Sequence, residues 1–119
     1  MIPHTRLKTL SILQGMPLTV LDISGTPIDS LTPLQGMRLE SLQASDTRIS
    51  SIMPLSGMPL RELNIKGTSV GDMSPLGTLK SLKILNADLN RGQKLYFIKA
   101  VPSLSRINGQ TVEDILNAQ

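Results

Sequence analysis

"LTVLDISGTPIDSLTPLQGM", residues 18–37, is followed by "LESLQASDTRISSIMPLSGM", residues 39–58, and by "LRELNIKGTSVGDMSPLGTL", residues 60–79. The three stretches align without a gap, each 21 residues after the last. Leu18, Leu39 and Leu60 hold one position; Leu21, Leu42 and Leu63 hold a second; Leu13, Leu34, Leu55 and Leu76 hold a third. Threonine recurs on the same interval at Thr5, Thr26, Thr47 and Thr68. Self-similarity at a short fixed period marks a repeat architecture, whose units are too small to bury an apolar face alone. After Leu76 one residue is added, and the next unit runs Leu82, Leu85, Ala87 and Asn90, a step of 22 residues. Asn90 thereby falls in the threonine slot.

The spacing inside one unit predicts its local structure. In L-x-x-L-x-[I/A] the second leucine and the following Ile or Ala are two apart, the strand period, so they share a face. Strands this short bury that face by stacking in parallel. A parallel return takes about a dozen residues or more, and the unit supplies about 15. Pro33, Pro54 and Pro75 recur within that return, with Gly15, Gly36 and Gly57 nearby, which disfavours an α-helix. Extended segments or 3₁₀ turns are expected on the outer side.

The unit L-x-x-L-x-[I/A]-x-x-T-x-[I/V] resembles the leucine-rich repeat family, whose pattern is L-x-x-L-x-L-x-x-N-x-L. The resemblance covers nearly the whole chain, as "LTVLDISGTPI" (18–28), "LESLQASDTRI" (39–49), "LRELNIKGTSV" (60–70) and "LKILNADLN" (82–90). The departure is Thr where the family usually has Asn. The unit length and the "PL" of its second half are most similar to short bacterial repeats of the internalin kind. They are also similar to repeats found beside serine/threonine kinase domains in some bacteria. The resemblance implies an α/β solenoid with short parallel strands on a concave face and loops or 3₁₀ turns on a convex face. The array is expected over residues 1–90, its first repeat incomplete, and a helical C-terminal cap over 91–119.

Beyond Arg91 the repeat dissolves. "QKLYFIKAV" (93–101) places Leu95, Ile98 and Val101 on one helical face, with Pro102 ending the helix. "SLSRINGQ" restores the L-x-x-L spacing with Leu104 and Ile107, followed by an Asn108-Gly109 turn signal. "TVEDIL" opens a last short helix, Thr111 standing three residues before Asp114. Both aromatics of the chain, Tyr96 and Phe97, lie here, where an open stack of strands needs covering, so both are expected to close the core. At the other end Ile2 aligns with Ile23 and Thr5 with Thr26, so the chain begins partway through a repeat. The expectation is a C-terminal portion of a longer array, with self-association through the uncapped N-terminal end.

Composition narrows the function. The chain has 119 residues, enough for one domain, a net charge of +3 and no cysteine, so neither disulfides nor thiol chemistry is available. Its Lys and Arg are scattered along the sequence, and aromatics make up only 2%, which argues against a nucleic-acid surface. No apolar run approaches the roughly 20 residues of a membrane helix, and "MIPHTRLKTL" lacks a signal layout, so the cytoplasm is favoured. His4 is the single histidine, which leaves no two-histidine metal site and no triad base with an orienting carboxylate. "GTSVGD" (67–72) lacks the Lys-Ser/Thr ending of a phosphate loop. Asp22, Asp29, Glu40 and Asp72 occur singly, as solvated charges do. No catalytic residue, cofactor or metal is expected.

The recurring threonine reads best as a structural ladder of Thr5, Thr26, Thr47, Thr68 and finally Asn90. No activating base recurs beside it, whereas its hydroxyl can pair with backbone groups where the chain leaves each strand. Strand positions outside the core point to the concave face: Val20, Asp22, Ser24; Ser41, Gln43, Ser45; Glu62, Asn64, Lys66; Ile84, Asn86, Asp88. They vary between copies while the leucines do not, leaving that face open to tailoring for a partner. The reading is a non-catalytic protein–protein interaction module with an unidentified protein partner. The alternative is a structural or regulatory repeat region of a bacterial serine/threonine kinase or other enzyme.

Overall fold

The computed structural model describes Leu13 and residues 15–118. Thr5, His4 and the N-terminal end, on which the expected self-association rests, lie outside the described residues. Among the described residues six strands form one sheet in chain order. β1 (Val20–Asp22), β2 (Ser41–Gln43), β3 (Glu62–Asn64), β4 (Ile84–Asn86) and β5 (Arg106–Ile107) pair successively in parallel, and β6 (Gln110–Thr111) turns back antiparallel to β5. The register sets Leu21, Leu42, Leu63, Leu85 and Ile107 in one row, and all five are fully buried.

The first three returns each pass through a 3₁₀ turn, at Thr32–Leu34, Met53–Leu55 and Ser74–Thr78. Proline stands at the start of each, where its missing N–H breaks no helical bond. Leu34, Leu55 and Leu76 turn inward from these segments and are fully buried. The residue inserted after Leu76 is absorbed by the longer third turn, so β3 and β4 still pair Leu63 with Leu85. The convex side is therefore built as the proline spacing predicts.

The C-terminal segment continues the sheet before covering it. α1 (Arg91–Ala100) leads into β5, and α2 (Val112–Asn117) follows β6. Asn108 and Gly109 form the two-residue hairpin between β5 and β6, with φ of 52° and 82°, the left-handed pair that an Asn-Gly turn favours. Thr111 Oγ1 accepts a hydrogen bond from the Asp114 N–H at 3.1 Å and caps α2. Phe97 and Val101 are buried against the array, with Leu95 and Ile98 partly buried beside them. Tyr96 departs from expectation: it is 64% exposed, because neighbouring helical residues point about 100° apart and Phe97 takes the inward direction. The two rings meet edge to face with centroids 5.0 Å apart. Core closure thus falls to Phe97 alone among the aromatics.

Candidate binding face

The parallel register turns repeat positions into rows. Val20, Ser41, Glu62, Ile84 and Arg106 form one row, and Asp22, Gln43, Asn64 and Asn86 a second. Beyond the strand ends the third repeat position brings Ser24, Ser45, Lys66 and Asp88. Most of these side chains are half-buried; Val20, Lys66, Asp88 and Arg106 are exposed.

Several of them are already engaged. Asp22 Oδ1 accepts from the Ser24 N–H at 3.0 Å, and Asn64 Oδ1 from the Lys66 N–H at 3.1 Å, shaping the bend that follows each strand. Gln43 Nε2 donates to Glu62 Oε2 at 3.0 Å across β2 and β3. Asp88 Oδ2 accepts from the Gly67 N–H at 2.8 Å, where in earlier copies Gly25 and Asp46 donate to the carbonyls of Ser45 and Lys66. Among the described residues, the side chains of Ser41, Ser45, Lys66 and Asn86 make no hydrogen bond within the chain.

The threonines close their own units. Thr26 Oγ1 donates to Ile23 O at 2.7 Å, Thr47 Oγ1 to Ala44 O at 2.9 Å and Thr68 Oγ1 to Ile65 O at 2.7 Å. Every rung spans three residues of one repeat, so the recurrence is a set of local closures with no bond from threonine to threonine. Thr26 and Thr47 are buried, and Thr68 is partly so. Among the described residues every buried side-chain nitrogen and oxygen has a partner.

Asn90 does not take over the threonine's post. Its side chain accepts from the Gln93 N–H at 2.8 Å, and its own N–H donates to Gln93 Oε1, a reciprocal cap that starts α1 at an exposed position. The reason lies one residue earlier. The residue before each threonine is left-handed, with φ of 76° at Gly25, 56° at Asp46 and 73° at Gly67. Leu89 stands at that slot in the last unit, and a leucine is strained in that conformation. The chain leaves the repeat path there. Asn108 fills the gap instead: its Oδ1 accepts from the Ala87 N–H and its Nδ2 donates to Ala87 O, both at 2.9 Å. One amide stands in for the backbone of a further repeat.

The register also brings to the face residues outside the twelve expected concave positions, among them Glu40, which the sequence presents as a single solvated charge. Arg106 extends the first row because β5 joins the sheet. Glu40, Arg61 and Lys83, each just ahead of its strand, form an exposed row along the N-terminal edge of the sheet. Their signal was present in the sequence, since the residue after the first leucine of L-x-x-L varies as freely as the others. Among the described residues no group of three or more His, Cys, Asp or Glu is placed to hold a metal ion, and no helix is long and apolar enough to cross a membrane.

Two solved structures share this geometry. Internalin C2 of Listeria monocytogenes is 26% identical, with a TM-score of 0.73, over 95% of this chain and 54% of that one. The internalin InlF of the same organism is 23% identical, with a TM-score of 0.70, over 82% of this chain and 30% of that one. This chain is a leucine-rich-repeat solenoid. The solenoid spans about a third to a half of the length of these internalins. No family model matches its sequence, and a search of curated proteins found no match.

Proposed function

We propose that this solenoid is a non-catalytic protein-interaction module that engages its partner through the concave strand face. The observation that carries the reading is the register. It stacks the buried leucines in one row and gathers the positions that differ between copies on the opposite side of the same strands. Val20 and Ile84 add apolar area to that face, while Ser41, Asn86 and Lys66 offer donors and acceptors not committed to the fold. Likeness to internalins favours the same class of role. The hydroxyls of Thr26, Thr47 and Thr68 donate to carbonyl oxygens, which supports a structural use of the one recurring nucleophile type.

A photo-crosslinking residue placed at Ser41 or Asn86 tests the reading against the same residue at Gln35 or Ser51 on the convex side. In cells that make the protein, the concave positions should yield discrete protein adducts and the convex ones none. Adducts in equal amount from both faces, or from the convex face alone, would overturn it.

A further inference from the structure

We infer that the partner presents an acidic peptide segment, which docks on the N-terminal edge of β3 to β5 against Arg61, Lys80 and Lys83. The inference rests on the concave-face reading and deepens it. These residues line a shallow depression of about 390 Å³ together with Glu40, Ser81 and Ser103. In sequence the three cations are spread over more than one repeat, and the fold collects them. Arg61 and Lys83 hold equivalent places in adjacent units, with the N–H groups of Lys83 and Ile84 both donating to Arg61 O at 2.9 and 3.0 Å. Lys80 comes from the segment between the third 3₁₀ turn and β4.

No ion pair among the described residues accounts for this grouping. Like charges on neighbouring strands repel, and among the described residues no Lys or Arg nitrogen lies within 4.0 Å of a carboxylate oxygen. The opposite edge of the sheet differs. There the carboxylates of Asp22 and Asp88 already accept backbone N–H groups. Unpaired positive charge therefore gathers on one edge of the concave face, beside the single carboxylate of Glu40, and negative charge predominates on the other, where Lys66 is outnumbered by Asp22 and Asp88. A segment of Asp and Glu laid across the strands at the N-terminal edge would neutralise the first and avoid the second. A nucleic-acid strand fits less well. The depression holds no aromatic on which bases stack.

Fluorescence anisotropy with fluorescein-labelled octaglutamate tests this at low ionic strength. The unaltered chain should bind, and Lys80→Glu with Lys83→Glu should weaken binding about tenfold or more, with Lys66→Glu on the opposite edge changing it less than about twofold. Lys80→Gln with Lys83→Gln should give an intermediate loss, and circular dichroism confirms that each variant is folded. No binding to the unaltered chain, equal losses at both edges, or tighter binding of a thymidine oligonucleotide would overturn the inference. The concave-face reading is judged separately. If the Asn86 adduct survives Lys80→Glu with Lys83→Glu, that reading stands and the acidic-segment inference falls.

Discussion

Replacing Thr47 by valine removes one hydrogen-bond donor and leaves the shape of the side chain almost unchanged. Thr47 is 5% exposed, and its hydroxyl donates to Ala44 O at 2.9 Å. No backbone N–H among the described residues donates to that carbonyl. Thr47→Val therefore leaves a buried acceptor unpaired, at a cost of about 1–3 kcal/mol. For a domain of this size the melting temperature should fall by about 5–15 °C. Thr26→Val is the informative companion. There the Thr26 N–H also reaches Ile23 O, at 3.3 Å, so the carbonyl keeps a partner and the loss should stay below about 1 kcal/mol. Thr47→Ser restores the donor and gives up one methyl group, about 0.8 kcal/mol. Urea unfolding followed by circular dichroism ranks the three variants. An unchanged midpoint for Thr47→Val, or a loss at Thr26 as large as at Thr47, would refute the reasoning.

Gly67→Ala should cost about 1–2 kcal/mol for placing a side chain on a left-handed backbone. A further loss should come from collision of the new methyl with the Asp46 carboxylate, so Gly67→Ala should cost less in an Asp46→Gly background than in the unaltered chain, read from urea midpoints. Asn108→Asp exchanges the donor facing Ala87 O for a carboxylate oxygen, so stability should drop by about 1–3 kcal/mol and exchange of the Ala87 amide hydrogen should accelerate. Asp72 is held below the ordinary aspartate range by its hydrogen bonds to the hydroxyl and then the N–H of Ser74. Its contribution to stability is therefore present above the unfolded value of about 3.9 and lost as the pH falls through the lower folded value. An NMR titration should place the Asp72 carboxyl midpoint below that of a free aspartate, and a midpoint at or above it would contradict the hydrogen bonding.

The solenoid was legible because its core is written at a fixed interval. Leu21, Leu42 and Leu63 recur in step, and period two inside each unit sets the inward row. The short turns followed from Pro33 and Pro54 with Gly36 and Gly57 three residues on, a spacing that disfavours a longer helix. Asn90 was misread because its slot was judged by residue type alone, while the backbone that a threonine closure needs is set by the residue before it. Leu89 carried that warning. Tyr96 was misread because helical neighbours cannot both face inward. The role of Asn108 depends on three-dimensional adjacency to Ala87, which the Asn-Gly signal announces only as a turn. The cluster of Arg61, Lys80 and Lys83 is likewise a product of stacking: the sequence scatters what the register assembles.

Amide hydrogen exchange of the solenoid, alone and saturated with the partner captured at Asn86, tests the concave-face account most directly. Protection should appear in Val20–Asp22, Ser41–Gln43, Glu62–Asn64 and Ile84–Asn86 and in the segments just ahead of them, with the 3₁₀ turns Thr32–Leu34 and Met53–Leu55 unchanged. Protection confined to the 3₁₀ turns, with the strands unaffected, would contradict it.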